Sequence, residues 1–265
     1  MSCVSEVIGL ACILALILSF SSKAPYQLKM AVFLIGSGAI VLICIPLMLF
    51  RPRDYRNAFI PAWGCRQLCK ALGVTMMVQG LENIRVEHGA VVLINHQSFL
   101  DLCGLAYLWP IIGRATVVSK KEILFFPFFG LGAWLWGTLF INRSSKKDSI
   151  NALQKESKAI QEHNCKLLFF PEGTRNVKDT LLPFKKGPFH IALQSQCPIQ
   201  PVVISKYYFL NGANKTFRPG HAIIKILPEI HTAGFAPGDM DEIIKITRNT
   251  MDYEYKKLNQ EIRRH

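Results

Sequence analysis

Two short segments of this chain carry side chains able to do chemistry. In the first, Asn95-His96-Gln97-Ser98-Phe99-Leu100-Asp101, a His and an Asp stand five residues apart. Five residues of α-helix turn through roughly 500°, so the pair cannot share a helix face. The spacing works if His96 precedes a helix and Asp101 lies in its first turn, with Ser98 as the N-cap. The carboxylate then holds one imidazole nitrogen, fixes the tautomer and leaves the other nitrogen free as a base. Ser98-x-x-Asp101 is also an ordinary capping box, and Asp101 doing only that is the competing reading.

The second segment is Phe169-Phe170-Pro171-Glu172-Gly173-Thr174-Arg175. Pro171 and Gly173 force a tight turn, and Gly173 tolerates positive φ. The turn presents Arg175, whose guanidinium is a bidentate donor suited to a phosphate. The alternative is a structural ion pair between Arg175 and Glu172. Further basic groups stand at Lys120 and Lys121, at Arg143 closing Gly137–Arg143, and at Lys185 and Lys186 before a helix start. A helix start also favours anions through its free N–H groups. Each of these basic groups taken alone is more often a solvated face.

Both segments sit where an alternating pattern puts strand ends. Apolar runs at 89–94, 115–119, 166–170, 199–205 and 222–227 read as strands, and 98–109, 149–162 and 239–264 read as helices. Alternation of this kind implies an α/β domain whose mixed, largely parallel sheet is flanked by helices. The Asn95–Asp101 segment follows the first strand and the Pro171–Arg175 turn follows the third. No internal repeat or low-complexity tract interrupts the pattern. Residues 123–141 are almost wholly apolar and rich in aromatics, which suits either a core or a surface facing membrane or an acyl chain.

The N-terminus is different in kind. Residues 7–22 and 30–50 carry no formal charge, and a short polar turn, Ser21–Pro25, separates them. The second run is long enough to span a bilayer and the first is marginal. Together they read as a membrane-embedded helical hairpin, with residues 1–56 as anchor and 57–265 as the α/β domain. A cleaved signal peptide is the alternative for the first run, but its start lacks Lys and Arg. Arg51, Arg53, Arg56, Arg66 and Lys70 after the second run argue for a cytosolic flank.

The whole chain carries 31 Lys and Arg against 18 Asp and Glu, a formal charge of +13. Such a balance favours anionic partners. No zinc-finger spacing or RNA-binding motif supports nucleic acid, so a lipid surface and phosphorylated small molecules lead. Eight cysteines include Cys65 and Cys69 four apart, but no second pair or nearby His completes a metal site. Free thiols are expected.

Four blocks in order, Asn95–Asp101, Gly137–Arg143, Phe170–Arg175 and Ile199-Gln-Pro-Val-Val-Ile204, resemble the glycerolipid acyltransferase superfamily. Within it the chain is most similar to the 1-acylglycerol-3-phosphate (lysophosphatidic acid) acyltransferases, over roughly residues 30–230. Asn142 departs from the Asp common at its position. The resemblance implies acyl transfer from acyl-CoA to lysophosphatidic acid, giving phosphatidic acid at the endoplasmic reticulum membrane. It implies His96 and Asp101 as the catalytic pair. Arg175 with Lys120 or Lys121 would bind the phosphate, with Glu172, Gly173 and Thr174 in the same turn. Asn95, Ser98, Arg143, Lys185 and Lys186 are candidates for positioning acceptor or acyl-CoA. No metal and no cofactor is expected, since acyl-CoA is a co-substrate. The open alternatives are another acceptor (glycerol 3-phosphate or a larger lysophospholipid), transacylation between lipids, a thioesterase, and an inactive lipid-binding protein.

Overall fold

The structure is a computed structural model, and it describes residues 18–21, 23–141, 160 and 162–263. Most of the first apolar run and of the helix expected at 149–162, and Asn142 with Arg143, lie outside the described residues.

Seven strands form one sheet in the order β1-β9-β6-β2-β5-β3-β4. They are β1 (Val74–Gln79), β2 (Ala90–Ile94), β3 (Ala115–Lys120), β4 (Leu139–Ile141), β5 (Lys166–Phe169), β6 (Ile199–Ile204) and β9 (Gly220–Ile226); β7 (Leu210–Asn211) and β8 (Thr216–Phe217) make a separate small hairpin. All neighbouring pairs of the large sheet run parallel except β6 with β9. β2, β5 and β6 are buried at every position. A parallel strand covered on both faces reads as an unbroken apolar run, which is why these three are visible in the sequence.

Helices cover both faces. On one side lie α1 (Tyr26–Met48), α2 (Phe59–Ala71), α3 (Asp101–Ile112) and α4 (Phe129–Leu135), packed around Val92, Ile94, Leu168 and Ile204. On the other lie α5 (Gly187–Ser195) and α6 (Met240–Glu261), packed around Val91, Leu93, Leu167 and Val203. Alternate residues of one strand thus feed two separate cores.

α1 has 23 residues and a mean hydropathy of 2.5, long and apolar enough to cross a membrane. It does not stand apart from the domain. Lys29, Phe33, Ser37, Val41, Cys44 and Met48 are buried, a stripe at helical spacing. The stripe packs on α2 and α4, and the Lys29 ammonium lies 5.6 Å from the Phe217 ring centre. Ile35, Ile43, Leu47 and Phe50 face outward and are exposed. Residues 123–141 divide the two readings open for them. Phe125, Phe126, Phe128, Leu131 and Trp134 are exposed, while Ala133, Leu135 and Trp136 are buried. Ile60 and Trp63 of α2 are exposed as well. Exposed apolar surface on this scale marks a contact with lipid or another apolar partner. The six described cysteines from Cys44 onward are buried thiols.

Close helix packing depends on small residues. A Cβ on Gly132 of α4 would run into the Val41 side chain of α1, and one on Gly64 of α2 would stand 2.8 Å from Ile40. Val is stiff about χ1 and cannot swing aside. Gly132→Val should therefore destabilise the protein by about 1–3 kcal/mol, the usual cost of overpacking. Gly187→Ala, where nothing lies within 4 Å, is the control. Thermal midpoints in detergent check this: equal midpoints for the two variants would show that α1 is not clamped on α4.

Candidate active site

β2, β5 and β3 are parallel neighbours and end side by side. His96 follows β2, the Pro171–Arg175 turn follows β5, and Lys120 closes β3. Ligands of open α/β sheets bind in the crevice beyond such strand ends. A cavity of about 650 Å³ opens there. Strand ends and their loops give it a polar rim of His96, Ser98, Asp101, Lys120, Thr174 and Arg175. The helices give it an apolar wall that includes Val41, Ala62, Leu102, Trp109 and Trp136. One cavity thus offers anion-binding groups, a base and room for a hydrocarbon chain.

The imidazole Nδ1–H donates to Asp101 Oδ2 at 2.6 Å. A carboxylate only accepts, so Nδ1 carries the proton and Nε2 is left as the base. Among the described residues Nε2 has no partner. The Phe170 ring lies 4.3 Å from the imidazole, centre to centre, and fixes its plane. Asp101 Oδ2 also accepts from the Gln97 and Ser98 backbone N–H groups at 2.7 and 3.1 Å. Ser98 is not the N-cap expected of it. That position belongs to Leu100, whose side chain has no acceptor, and Ser98 Oγ instead accepts the Leu100 N–H. The helix begins later because Asp101 reaches back into the loop.

Glu172 is the clearest correction. It is expected at the phosphate, yet it is 2% exposed and not on the cavity wall. Its Oε1 accepts the His96 N–H at 3.1 Å, and its Oε2 accepts from Asn176 Nδ2 and Leu182 N at 2.9 Å each. A carboxylate surrounded by N–H donors organises the loop, whereas beside a phosphate it would repel. The ion pair with Arg175 does not form. Arg175 is exposed on the cavity wall, its guanidinium carbon 3.6 Å above the Phe99 ring centre. Stacking on an aromatic face holds the fork while leaving its N–H groups free.

The other candidates divide. Gly173 has a φ of 73° and lines the cavity beside Thr174. Lys120 lines it, whereas Lys121 does not. Lys185 and Lys186 are exposed and off the wall, and Lys186 pairs with Asp241 of α6 at 2.7 Å. Asn95 is buried, and its side chain amide exchanges two hydrogen bonds with the Ile204 backbone at 2.9 and 2.7 Å. It ties the end of β2 to β6.

Sequence reasoning missed four contributors. Phe99 and Phe170 lie inside the quoted segments, where their rings gave no hint of a partner. Gln97 donates to the Ile204 and Ser205 carbonyls. Tyr207, three residues past β6, donates its hydroxyl to Asp101 Oδ1 at 2.8 Å. Burial, with the Asp101 charge, pushes the Tyr207 phenol well above its ordinary range, so it stays protonated.

The acyltransferase family profile matches residues 75–205. Human 1-acyl-sn-glycerol-3-phosphate acyltransferase alpha is 31% identical over 240 residues, covering 90% of this chain and 84% of that protein. The putative 1-acyl-sn-glycerol-3-phosphate acyltransferase acl-2 of Caenorhabditis elegans is 38% identical over 195 residues, covering 73% and 68%. The crystal structure of the 1-acyl-sn-glycerophosphate (LPA) acyltransferase PlsC from Thermotoga maritima superposes with a TM-score of 0.67 at 21% identity. It covers 88% of this chain and 97% of that one, and it shares the fold.

Glu172→Gln replaces an acceptor by a donor facing N–H groups. A buried group left unsatisfied costs about 1–3 kcal/mol. The variant should melt earlier and lose turnover with every acceptor alike. An unchanged thermal midpoint with only the acceptor KM raised would return Glu172 to the substrate.

Proposed function

This chain belongs to the acyltransferase family, among the 1-acyl-sn-glycerol-3-phosphate acyltransferases, and on that premise we propose that it moves a fatty acyl group from acyl-CoA to the sn-2 hydroxyl of lysophosphatidic acid, making phosphatidic acid. The observation that carries the reading is the single cavity that joins a His96–Asp101 pair, a stacked Arg175 and an apolar wall.

The acceptor hydroxyl is too weak an acid to ionise near neutral pH. His96 Nε2 takes its proton as the oxygen attacks the thioester carbonyl. Asp101 holds the ring and stabilises the imidazolium. The carbonyl carbon passes through a tetrahedral oxyanion, the C–S bond breaks and CoA leaves as a thiolate that the imidazolium can protonate. No acyl-enzyme is required. Arg175 and Lys120 bind the acceptor's phosphate and so place its hydroxyl at His96, which turns a bimolecular step into a local one. The apolar wall takes hydrocarbon from the substrates. A thioester needs no Lewis acid, so no metal or cofactor is part of the proposal.

Membrane association follows from the same surface. Residues 1–56 serve as the anchor and 57–265 as the catalytic domain, although α1 also lines the cavity. We place the site on the cytosolic side of the endoplasmic reticulum membrane. Two things support this: the exposed Arg51, Arg53 and Arg56 directly after α1, and a donor that is large, charged and cytosolic.

A substrate panel tests the reading. Purified protein with acyl-CoA should acylate lysophosphatidic acid, with or without chelator. It should use glycerol 3-phosphate and lysophosphatidylcholine poorly and release little free CoA when no acceptor is present. A charge-assisted contact to phosphate contributes about 1.5–3 kcal/mol, so Arg175→Ala should raise the lysophosphatidic acid KM by about ten- to a hundredfold. Arg175→Lys should recover only part, because Lys lacks the fork. A stable Arg175→Ala protein with unchanged KM rules out the phosphate role, and preference for another acceptor rules out the substrate.

A further inference from the structure

We infer that Tyr207 is a positioning residue of the catalytic pair, setting the charge that Asp101 presents to His96 and thereby the pH at which His96 becomes a free base. The inference rests on His96 being the base, as proposed above.

The geometry is specific. Asp101 is 2% exposed and Tyr207 is 4% exposed, so neither group has bulk water to fall back on. The two carboxylate oxygens are used differently. Oδ2 takes the imidazole and two backbone N–H groups. Among the described residues, Oδ1 takes only the Tyr207 hydroxyl. Tyr207 is thus placed to influence how the carboxylate's charge is shared between its oxygens. It is also held by the catalytic loop itself. Gln97 Oε1 accepts the Tyr207 backbone N–H at 3.3 Å, while Gln97 Nε2 donates to the Ile204 and Ser205 carbonyls just upstream at 3.1 and 3.0 Å. The residue between His96 and Ser98 thus locates the residue that faces Asp101 from the other side. A buried tyrosine always seeks an acceptor, so packing alone is the competing account.

The sign of the effect separates the two. A donor on Oδ1 draws negative charge away from Oδ2 and weakens its hold on the imidazolium. Without that donor the carboxylate binds the imidazolium more strongly. His96 then keeps its proton to higher pH, and the acid limb of the kcat/KM profile moves up. The other charged and titratable groups around the pair do not change. Among the described residues they are Glu172, which accepts the His96 N–H; Arg175 and Lys120 on the cavity rim; the thiols of Cys69 on α2 and Cys103 on α3; and the buried Tyr255 phenol of α6, which feels the Asp101 and Glu172 charges.

The experiment is a pH–rate series on the full-length detergent-solubilised protein with acyl-CoA and lysophosphatidic acid. Tyr207→Phe should shift the acid limb upward by about half a unit to one unit, a fraction of what one hydrogen bond to a charged group can supply. Activity below the limb should drop by up to about tenfold, and the alkaline plateau should return to within about threefold of wild type. Both KM values should stay close to wild type. Placing 3-fluorotyrosine at position 207 keeps the ring and the hydroxyl, so it tests the idea even if Tyr207→Phe folds poorly. Its hydroxyl is the stronger donor, and the limb should move down. Loss at every pH with the limb unmoved in Tyr207→Phe, or an unmoved limb with 3-fluorotyrosine, overturns the inference and leaves a packing role. A wild-type profile with no acid limb would instead fail the assignment of His96.

Discussion

The site depends on one buried carboxylate. Asp101 accepts four hydrogen bonds, from His96, Gln97, Ser98 and Tyr207. A bare carboxylate in that position would be costly to bury, and the donors offset the lost water. Each donor also does something for the chemistry. The two backbone N–H groups shape the loop between β2 and α3, and the imidazole is oriented with Nε2 toward the cavity. Without the charge on Asp101 the loop, the ring and the start of α3 would all lose their common anchor.

A second buried carboxylate does the same for the neighbouring turn. Glu172 takes the His96 backbone N–H, so the two strand ends are stitched together through the proposed base itself. His96 is then fixed from three sides: main chain by Glu172, ring edge by Asp101, ring face by Phe170. Two anions lie close to the proposed phosphate site. The arrangement is workable because their oxygens point into N–H groups and the Tyr207 hydroxyl, while the cationic Arg175 and Lys120 face the cavity. The same turn therefore presents one charge inward and the opposite charge outward.

Much of this was legible from the chain. Buried parallel strands read as continuous apolar runs, so β2, β3, β5, β6 and β9 and the two segments at their ends could be placed in advance. β1 was not seen, because its edge position lets Thr75 and Met77 face outward and breaks the run. β4 was hidden inside an apolar stretch whose aromatics mask a three-residue strand. The inward turn of Glu172 was not legible, because an acid beside an arginine looks the same on paper whether it faces ligand or loop. The Lys186 ion pair was not legible because Asp241, its partner, comes from a helix more than fifty residues on. Tyr207 had no signal at all: it is 106 residues from Asp101, and only the pairing of β2 with β6 brings them together.

The central claim is that His96 Nε2 removes the acceptor's proton. The most direct measurement is phosphatidic acid formation by purified His96→Ala under saturating acyl-CoA and lysophosphatidic acid, with the thermal midpoint taken on the same sample. The expected result is a midpoint near wild type and a turnover lower by about a hundred- to ten-thousandfold, the range for losing a general base. A folded His96→Ala protein that retained most of its turnover would contradict it.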